Sequence, residues 1–273
     1  MKKMCAVVLP VYKEFAYIDK YERISYIRML EVLGGRDIIL VTYEGLNIAA
    51  YISEAEKYQI RIKVKYFNRW YFKSTRTYNE LLLDSSFYKS FLAYKYMLIY
   101  QLDAYVFEDN LDSWIASGYD YVGAPWFDKY GDHESGGELW EVGNGGFSLR
   151  KIDFYYRLLK FNRALYTGIV KGQGPLLYIK SLLRHLGYKN TIRWHKRKVR
   201  GKLNEDCFLS YYLKNITNRP ELIPYIPSPK EAALFAFEKS PSYLYNLNGG
   251  RLPMGCHAFM KYEYETFWSK YIH

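Results

Sequence analysis

Cysteine is scarce in this chain of 273 residues. There are three, Cys5, Cys207 and Cys256, an odd number with no CxxC spacing. That pattern excludes a disulfide framework and indicates a reducing compartment. Long apolar runs are missing as well, and no stretch reaches the length that spans a bilayer. The opening MKKMCAVVLPV is basic at its start, but its apolar run breaks at Pro10 and continues into YKEF with no cleavage-like site. It reads as a strand and not as a secretory leader. The expected location is cytoplasmic, at most peripheral at the inner face of a membrane. Acidic residues are outnumbered, 28 Asp and Glu against 39 Lys and Arg, for a formal net charge of +11. Such a balance favours anionic partners: nucleic acid, anionic lipid or phosphorylated substrates. The common phosphate-binding and hydrolytic signatures are absent. There is no Walker A loop, no GxSxG elbow and no HExxH, and VVLPVYKE stands where a GxGxxG would follow the first strand. These absences speak against P-loop hydrolysis and hydride transfer.

What is present is enough for a large core. Hydrophobic residues make up 49% and aromatics 19% of the chain, too many for a disordered segment. Tyr alone accounts for 31 residues. Its ring with a polar tip suits clefts and wet interfaces, although an AT-rich genome raises its count without any functional reason. No repeat, low-complexity tract or linker divides the chain, so a single domain over 1–273 is expected.

The order of elements sets the fold class. CAVVLPV is wholly apolar and reads as a central strand. YERISYIRMLEVL follows at helical spacing and ends at Gly34-Gly35. DIILVT is a second buried strand, NIAAYISEAEKY a helix with Asn47 as its expected cap, and RIKVKYF an alternating strand suited to an edge. Residues 78–94 read as one or two helices, and YMLIYQL as a fourth strand ending at Asp103. YDYVGAPW is another strand and turn, LWEVGNGGFSLR a strand holding a glycine pair, and KIDFYYRLLKF a helix. The β-α-β-α-β-α-β order predicts a mostly parallel, Rossmann-like sheet flanked by helices. Beyond it, about 166–202 is basic, with Arg184-His185 and then RWHKRKVRGK, too dense in one sign for a stable helix face without acidic partners, and is expected to be an exposed loop, a basic insertion or lid.

Four features remain once the core is set aside. Asp103 lies at the carboxyl end of a buried strand, where ligands of such sheets bind. Gly145 and Gly146 interrupt a strand-like run, which marks either a bulge or a close approach of backbone to ligand. Asn204 can cap a helix whose first turn holds Glu205 and Asp206; acids there also simply complement the helix dipole. His257 stands in an apolar setting, PMGCHAF, where a histidine is commonly a hydrogen-bonded core residue. Together, a strand-end Asp and a late His suit a divalent cation such as Mn²⁺, and a helix-start carboxylate suits a general base. That is equipment for moving a sugar from a nucleoside diphosphate to a hydroxyl.

The motifs LPVYKE, YNELLL with FYKSFLAYKYMLIYQLDAYVF, YDYVGAPW, VGNGGFSLRK, NEDCFLS and LPMGCHAF, in that order, resemble a bacterial glycosyltransferase-like family. That family, formerly of unknown function, is found in surface-polysaccharide gene clusters and is similar to the GT-A nucleotide-sugar transferases. The likeness covers most of the chain apart from about 184–202. It implies a hexosyltransferase using a UDP-linked donor and Mn²⁺ or Mg²⁺, extending an O-antigen or capsule type glycan, by inversion. It assigns Asp103 to the DxD-type aspartate, with His257 completing the metal site, and Asp206 to the base, with Glu205 in reserve. Pro10, Val11 and Tyr12 match the strand exit that receives uracil and ribose, and Gly145 and Gly146 match the strand bordering the donor sugar. The chain departs from the pattern at Tyr105, where a full DxD has its second acid. With one metal ligand fewer, Arg76 or the Arg193–Lys202 segment is a candidate to neutralise the diphosphate. The expected partners are a nucleotide-sugar donor, a glycan or lipid-linked glycan acceptor and an anionic membrane surface. Two rivals stand beside this reading: a catalytically inactive sugar-binding or scaffold protein of the same fold, and a nucleic-acid-binding protein, against which no RNA-binding motif is found.

Overall fold

A computed structural model describes residues 2–128, 131–168 and 175–273. In chain order the elements are β1 (Lys3–Pro10), α1 (Lys20–Leu33), β2 (Asp37–Thr42), α2 (Ala49–Glu56), β3 (Lys63–Tyr66), α3 (Thr75–Leu82), α4 (Ser85–Lys89), β4 (Tyr94–Tyr100), β5 (Ala104–Val106) and α5 (Leu111–Ala116). They continue as β6 (Tyr121–Val122), β7 (Ala124–Phe127), β8 (Leu139–Gly143), β9 (Phe147–Lys151), α6 (Ile152–Lys160), α7 (Pro175–His185), α8 (Ile192–Val199), α9 (Pro229–Ala232), β10 (Ala236–Phe237), α10 (Pro241–Leu247) and β11 (Gly255–His257).

The main sheet has the order β3-β2-β1-β4-β9-β6. Its first four strands are parallel, β9 runs antiparallel to β4, and β6, antiparallel to β9, runs with the first four again. The fold class is therefore the expected one, a mostly parallel sheet with helices on both faces, and β3 does lie at an edge. Helices cover both faces, so the central strands have no polar side and read as continuous apolar runs. Alternation sends Val7, Leu9, Leu98 and Tyr100 into one core cluster with Tyr26, Leu30 and Leu33 of α1. It sends Ala6, Val8, Met97 and Ile99 into the other, with Leu81 of α3, Phe87 of α4 and Tyr155 of α6. The order reverses at β1, with β2 on one side and β4 on the other. Such a reversal opens a crevice beyond the carboxyl ends of the two strands.

Local chemistry explains the helix limits. Asp19 and Glu22 form a capping box at the start of α1, and Gly34 follows its last turn. Asn47 accepts the Ala49 N–H, two residues on, where α2 begins. Residues 78–94 resolve into α3 and α4, broken at Leu83-Asp84, with Asp84 capping the second.

Two expectations are corrected. LWEVGNGGFSLR is not one strand: β8 pairs with β7, β9 pairs with β4, and Asn144–Gly146 is the turn between them. The basic 166–202 region is not a loop in its described part, because it holds α7 and α8; residues 169–174 of it lie outside the described residues. α8 forms despite its density of positive charge. Thr191 caps it, and Ile192, His195 and Val199 bury one face. Arg200, just past its end, pairs with Glu80 at 2.5 Å, while Lys196 donates to the Leu83 carbonyl.

Candidate active site

A small second sheet, β10-β11-β5, lies at the crevice. Its register places His257 opposite Ala104 and Cys256 opposite Tyr105, and β10 runs parallel on the other side with Phe237 beside Cys256. One step along, Asp103, His257 and Glu238 fall in a row. The Ala258 N–H donates to the Asp103 carbonyl at 2.9 Å and holds the row together. His257 Nδ1 is 3.1 Å from Glu238 Oε1, in hydrogen-bond geometry, and Nε2 is 3.2 Å from Asp103 Oδ1. Burial disfavours the imidazolium, but Asp103 and Glu238 outweigh it and push the His257 pKa up to about 10. Burial also acts against the Asp103 charge, and His257 overrides it, so the Asp103 carboxyl stays below its ordinary range.

Sequence reasoning missed Glu238. Its only signal was a carboxylate closing the short apolar run FAFE, and pairing it with His257 required the register of β10 on β11. Tyr105 accounts for the missing acid of the DxD pattern. It is a buried strand residue packed on Phe107 and Phe259, part of a third core cluster with Phe237 and Trp268. Asp109, the other nearby acid, is held by Arg36 at 2.6 Å and takes no part.

The space beside each glycine is taken by a side chain of the protein itself. A Cβ on Gly146 would stand 2.0 Å from His257 Nε2, and one on Gly145 would stand 2.6 Å from Glu205 Oε1. Neither position tolerates a side chain. The turn is pinned on several sides. Asn144, at φ +76°, accepts the Gly146 N–H through its side chain at 3.0 Å. Tyr121 Oη donates to the Asn144 carbonyl at 2.8 Å, and the Gln101 N–H donates to the Gly146 carbonyl at 2.8 Å.

On the far side of the turn lie Glu205 and Asp206. Asn204 precedes the helical turn, but its side chain accepts from Asn79 at 3.0 Å rather than capping it. The chain then continues as a π-helix, Cys207–Tyr212. Glu205 is fully buried and bidentate to Arg150 of β9, at 2.8 and 3.0 Å. Arg150, fully buried as well, also reaches Tyr88 Oη, Ser148 Oγ and the Gly145 carbonyl. This buried cation, also unnoticed in the sequence, ties Glu205 to the glycine turn. Asp206 has no such cation beside it. Burial first and the neighbouring Glu205 charge second push its carboxyl up to about 7, while its Oδ1 accepts the Cys207 N–H at 2.8 Å. A carboxyl with that pKa can give and take a proton at neutral pH.

The remaining candidates divide. Pro10 and Val11 are buried at the end of β1, and Tyr12 emerges beyond it, 55% exposed and within reach of the Asp103 charge. Arg76 lines a cleft of about 430 Å³ with Arg193, Arg197 and Lys202; Asn204, next to Glu205 in the chain, is also in its wall, whereas Asp103, Asp206 and His257 are not.

The donor atoms bear on a divalent cation. Among the described residues no group of three or more His, Cys, Asp or Glu is placed to hold a metal. The pair Asp103 and His257 nonetheless fits as two of its ligands once the cation displaces the Nε2 proton that Asp103 stabilises in its absence. Nε2 is buried and has no hydrogen-bond partner, even though Asp103 is beside it. The 3.2 Å between them is close to the edge joining neighbouring ligands that each sit about 2.2 Å from one ion. Glu238 on Nδ1 is the carboxylate that commonly orients a ligating imidazole.

The chain belongs to a family of proteins of unknown function, DUF5672, whose model matches residues 61–257. No curated protein matches it. Among solved structures it is similar to the galactosyltransferase LgtC in complex with donor and acceptor sugar analogs, at 14% identity and a TM-score of 0.49, over 92% of this chain and 86% of that one. It is similar to mouse xyloside xylosyltransferase 1 in its apo form, at 9% identity and a TM-score of 0.48, over 94% and 97%. A third is a glycosyltransferase involved in glycosylation of the major capsid of PBCV-1, at 11% identity and a TM-score of 0.39, over 93% of each chain.

Proposed function

Taking membership of that family as the premise, we propose that the protein is a GT-A-like glycosyltransferase acting at the crevice between β1 and β4. It would move a sugar from a nucleoside-diphosphate donor, UDP-linked on the sequence resemblance, to a hydroxyl of a growing surface glycan. The observation that carries the reading is one juxtaposition: the Asp103–His257–Glu238 row and the Glu205–Asp206 pair, Asp206 buried and near-neutral, meet at the Asn144–Gly146 turn, whose two glycines let His257 and Glu205 close against it.

In this reading Tyr12 and the exit of β1 receive the nucleoside, and Gly145 and Gly146, by admitting His257 and Glu205 against the backbone, form the border of the sugar site. Asp206 takes the proton of the acceptor hydroxyl as its oxygen bonds to the anomeric carbon and the bond to the diphosphate breaks with its electron pair. Glu205 has both oxygens engaged by Arg150, so its role is to position the turn rather than to serve as base. A divalent cation held by Asp103 and His257 would supply charge neutralisation for the leaving diphosphate. The fold supplies the same crevice to many chemistries, so the assignment rests on the site.

The test follows nucleoside diphosphate released from a panel of nucleotide sugars by the purified protein, with water as default acceptor. Wild type should release it with a preference for one donor, and Asp206→Asn should release it on the order of 10²–10⁴ times more slowly. Equal release by the two proteins would remove Asp206 from the mechanism. No release from any donor would favour the inactive sugar-binding reading.

A further inference from the structure

Helix α7 departs from the usual burial of apolar side chains. Leu176, Ile179, Leu183 and, one residue beyond its end, Leu186 follow the three-and-four spacing of one helical face. They are 64%, 51%, 42% and 74% exposed, whereas Ser181, on the other side of the helix, is buried. An ordinary surface helix shows the reverse, with its apolar stripe inward. Isolated exposed leucines need no explanation; a contiguous row of them marks an interaction surface.

Charge indicates what covers it. From Phe154 to Asn204 the sequence contains thirteen Lys or Arg and no Asp or Glu. Lys180 and Arg184 lie one turn apart beside the stripe, and both are exposed. With Tyr188, Lys189, Trp194 and Lys198 they line one cleft of about 580 Å³ along α7 and α8. Apolar side chains rimmed by cations and by amphipathic Tyr and Trp suit the headgroup boundary of an anionic bilayer. Nucleic acid would use the charge but not the leucines.

We propose that α7 lies in the surface of an anionic membrane, its leucine and isoleucine face among the acyl chains and the basic rim of α7 and α8 against the headgroups. The element that inserts is therefore α7. The basic run of α8 attracts, but Lys196 and Arg200 within it are already engaged by Leu83 and Glu80. The proposal stands on this surface alone, so its failure would leave the donor-site reading untouched.

The protein is to be sedimented with vesicles of phosphatidylcholine, with and without phosphatidylglycerol, while tryptophan emission is compared between wild type and Trp194→Phe to isolate the Trp194 contribution among the six tryptophans. Wild type should pellet with the anionic vesicles, with a blue shift, and stay in solution with the neutral ones. Leu176→Gln/Ile179→Gln/Leu183→Gln/Leu186→Gln should bind on the order of a hundredfold more weakly, with an unchanged melting temperature. Lys180→Gln/Arg184→Gln should lose about tenfold. Undiminished binding by the apolar variant would overturn the proposal in favour of a purely electrostatic polyanion surface. So would a variant that no longer folds, because those side chains would then pack internally. A wild-type dimer that the variant dissolves, with no vesicle binding, would assign the face to a second copy of the chain.

Discussion

Asp206 begins a helical turn beside Glu205, two adjacent acids with opposite surroundings. Arg150 satisfies Glu205, while burial and that neighbouring charge raise Asp206 to about 7. With Asp206 as the proposed base, donor turnover should fall as pH drops below about 7, because that carboxyl becomes protonated, and a pH profile of turnover checks this. Stability should show the opposite sign. A carboxyl raised from an ordinary value of 3.8 helps the folded state fully below about 3.8 and loses that help as pH rises through about 7. Asp206→Asn should thus melt higher than wild type above pH 7, by on the order of 1–4 kcal/mol, and match it in acid. Glu205→Gln leaves Arg150 buried without its counterion and should cost about 3–5 kcal/mol in denaturant titration. Replacing both by apolar residues of similar size, Glu205→Leu/Arg150→Met, should recover much of it. At this scale the sequence displayed the acids but not their difference. Arg150 stands in FSLRK as one basic residue among 39, and only the pairing of β9 brings it inward.

At the scale of elements, what was legible depended on range. Strands β1, β2 and β4 are buried on both faces, so they appear in the sequence as unbroken apolar runs. α1 shows its period and its glycine stop. Asp103 stood out because ligands of such sheets bind beyond the carboxyl ends of parallel strands. The small sheet β10-β11-β5 was hidden. Its strands are two or three residues long, and they pair segments about 150 residues apart. Glu238 and the true place of Tyr105 were lost with it. α8 was misread because charge density was weighed without its buried side. His195 on that side accepts or donates at Nδ1 to Tyr212 at 2.9 Å, and burial first, then Lys198 and Arg184, lower its pKa to about 4. Its contribution is present above the ordinary value near 6.5 and is lost as pH falls towards 4. Thermal melts should show this loss in wild type and not in His195→Gln, a difference confined to that window.

The whole molecule combines a mostly parallel sheet, a polar row at its switch point and a strongly basic flank. The net charge of +11 announced an anionic partner, and the sequence alone did not separate substrate from surface. At the glycine turn His257 meets Gly146 and Glu205 meets Gly145, with Asp103 on His257 and Asp206 next to Glu205 in the chain, while Arg76, Arg193 and Arg197 line a cleft whose wall includes Asn204. In the proposed reading the diphosphate is met by a cation on Asp103, and the basic cleft at Arg76 is the competing position. Binding of a nucleoside diphosphate, followed by thermal shift with and without Mn²⁺, tests that account most directly. At about a hundredfold over its Kd, such a ligand should add about 2.7 kcal/mol to wild type in the presence of the cation. Asp103→Asn should abolish the gain and Asp206→Asn should keep it. Undiminished stabilisation of Asp103→Asn, or none of wild type by any nucleoside diphosphate, would contradict the account.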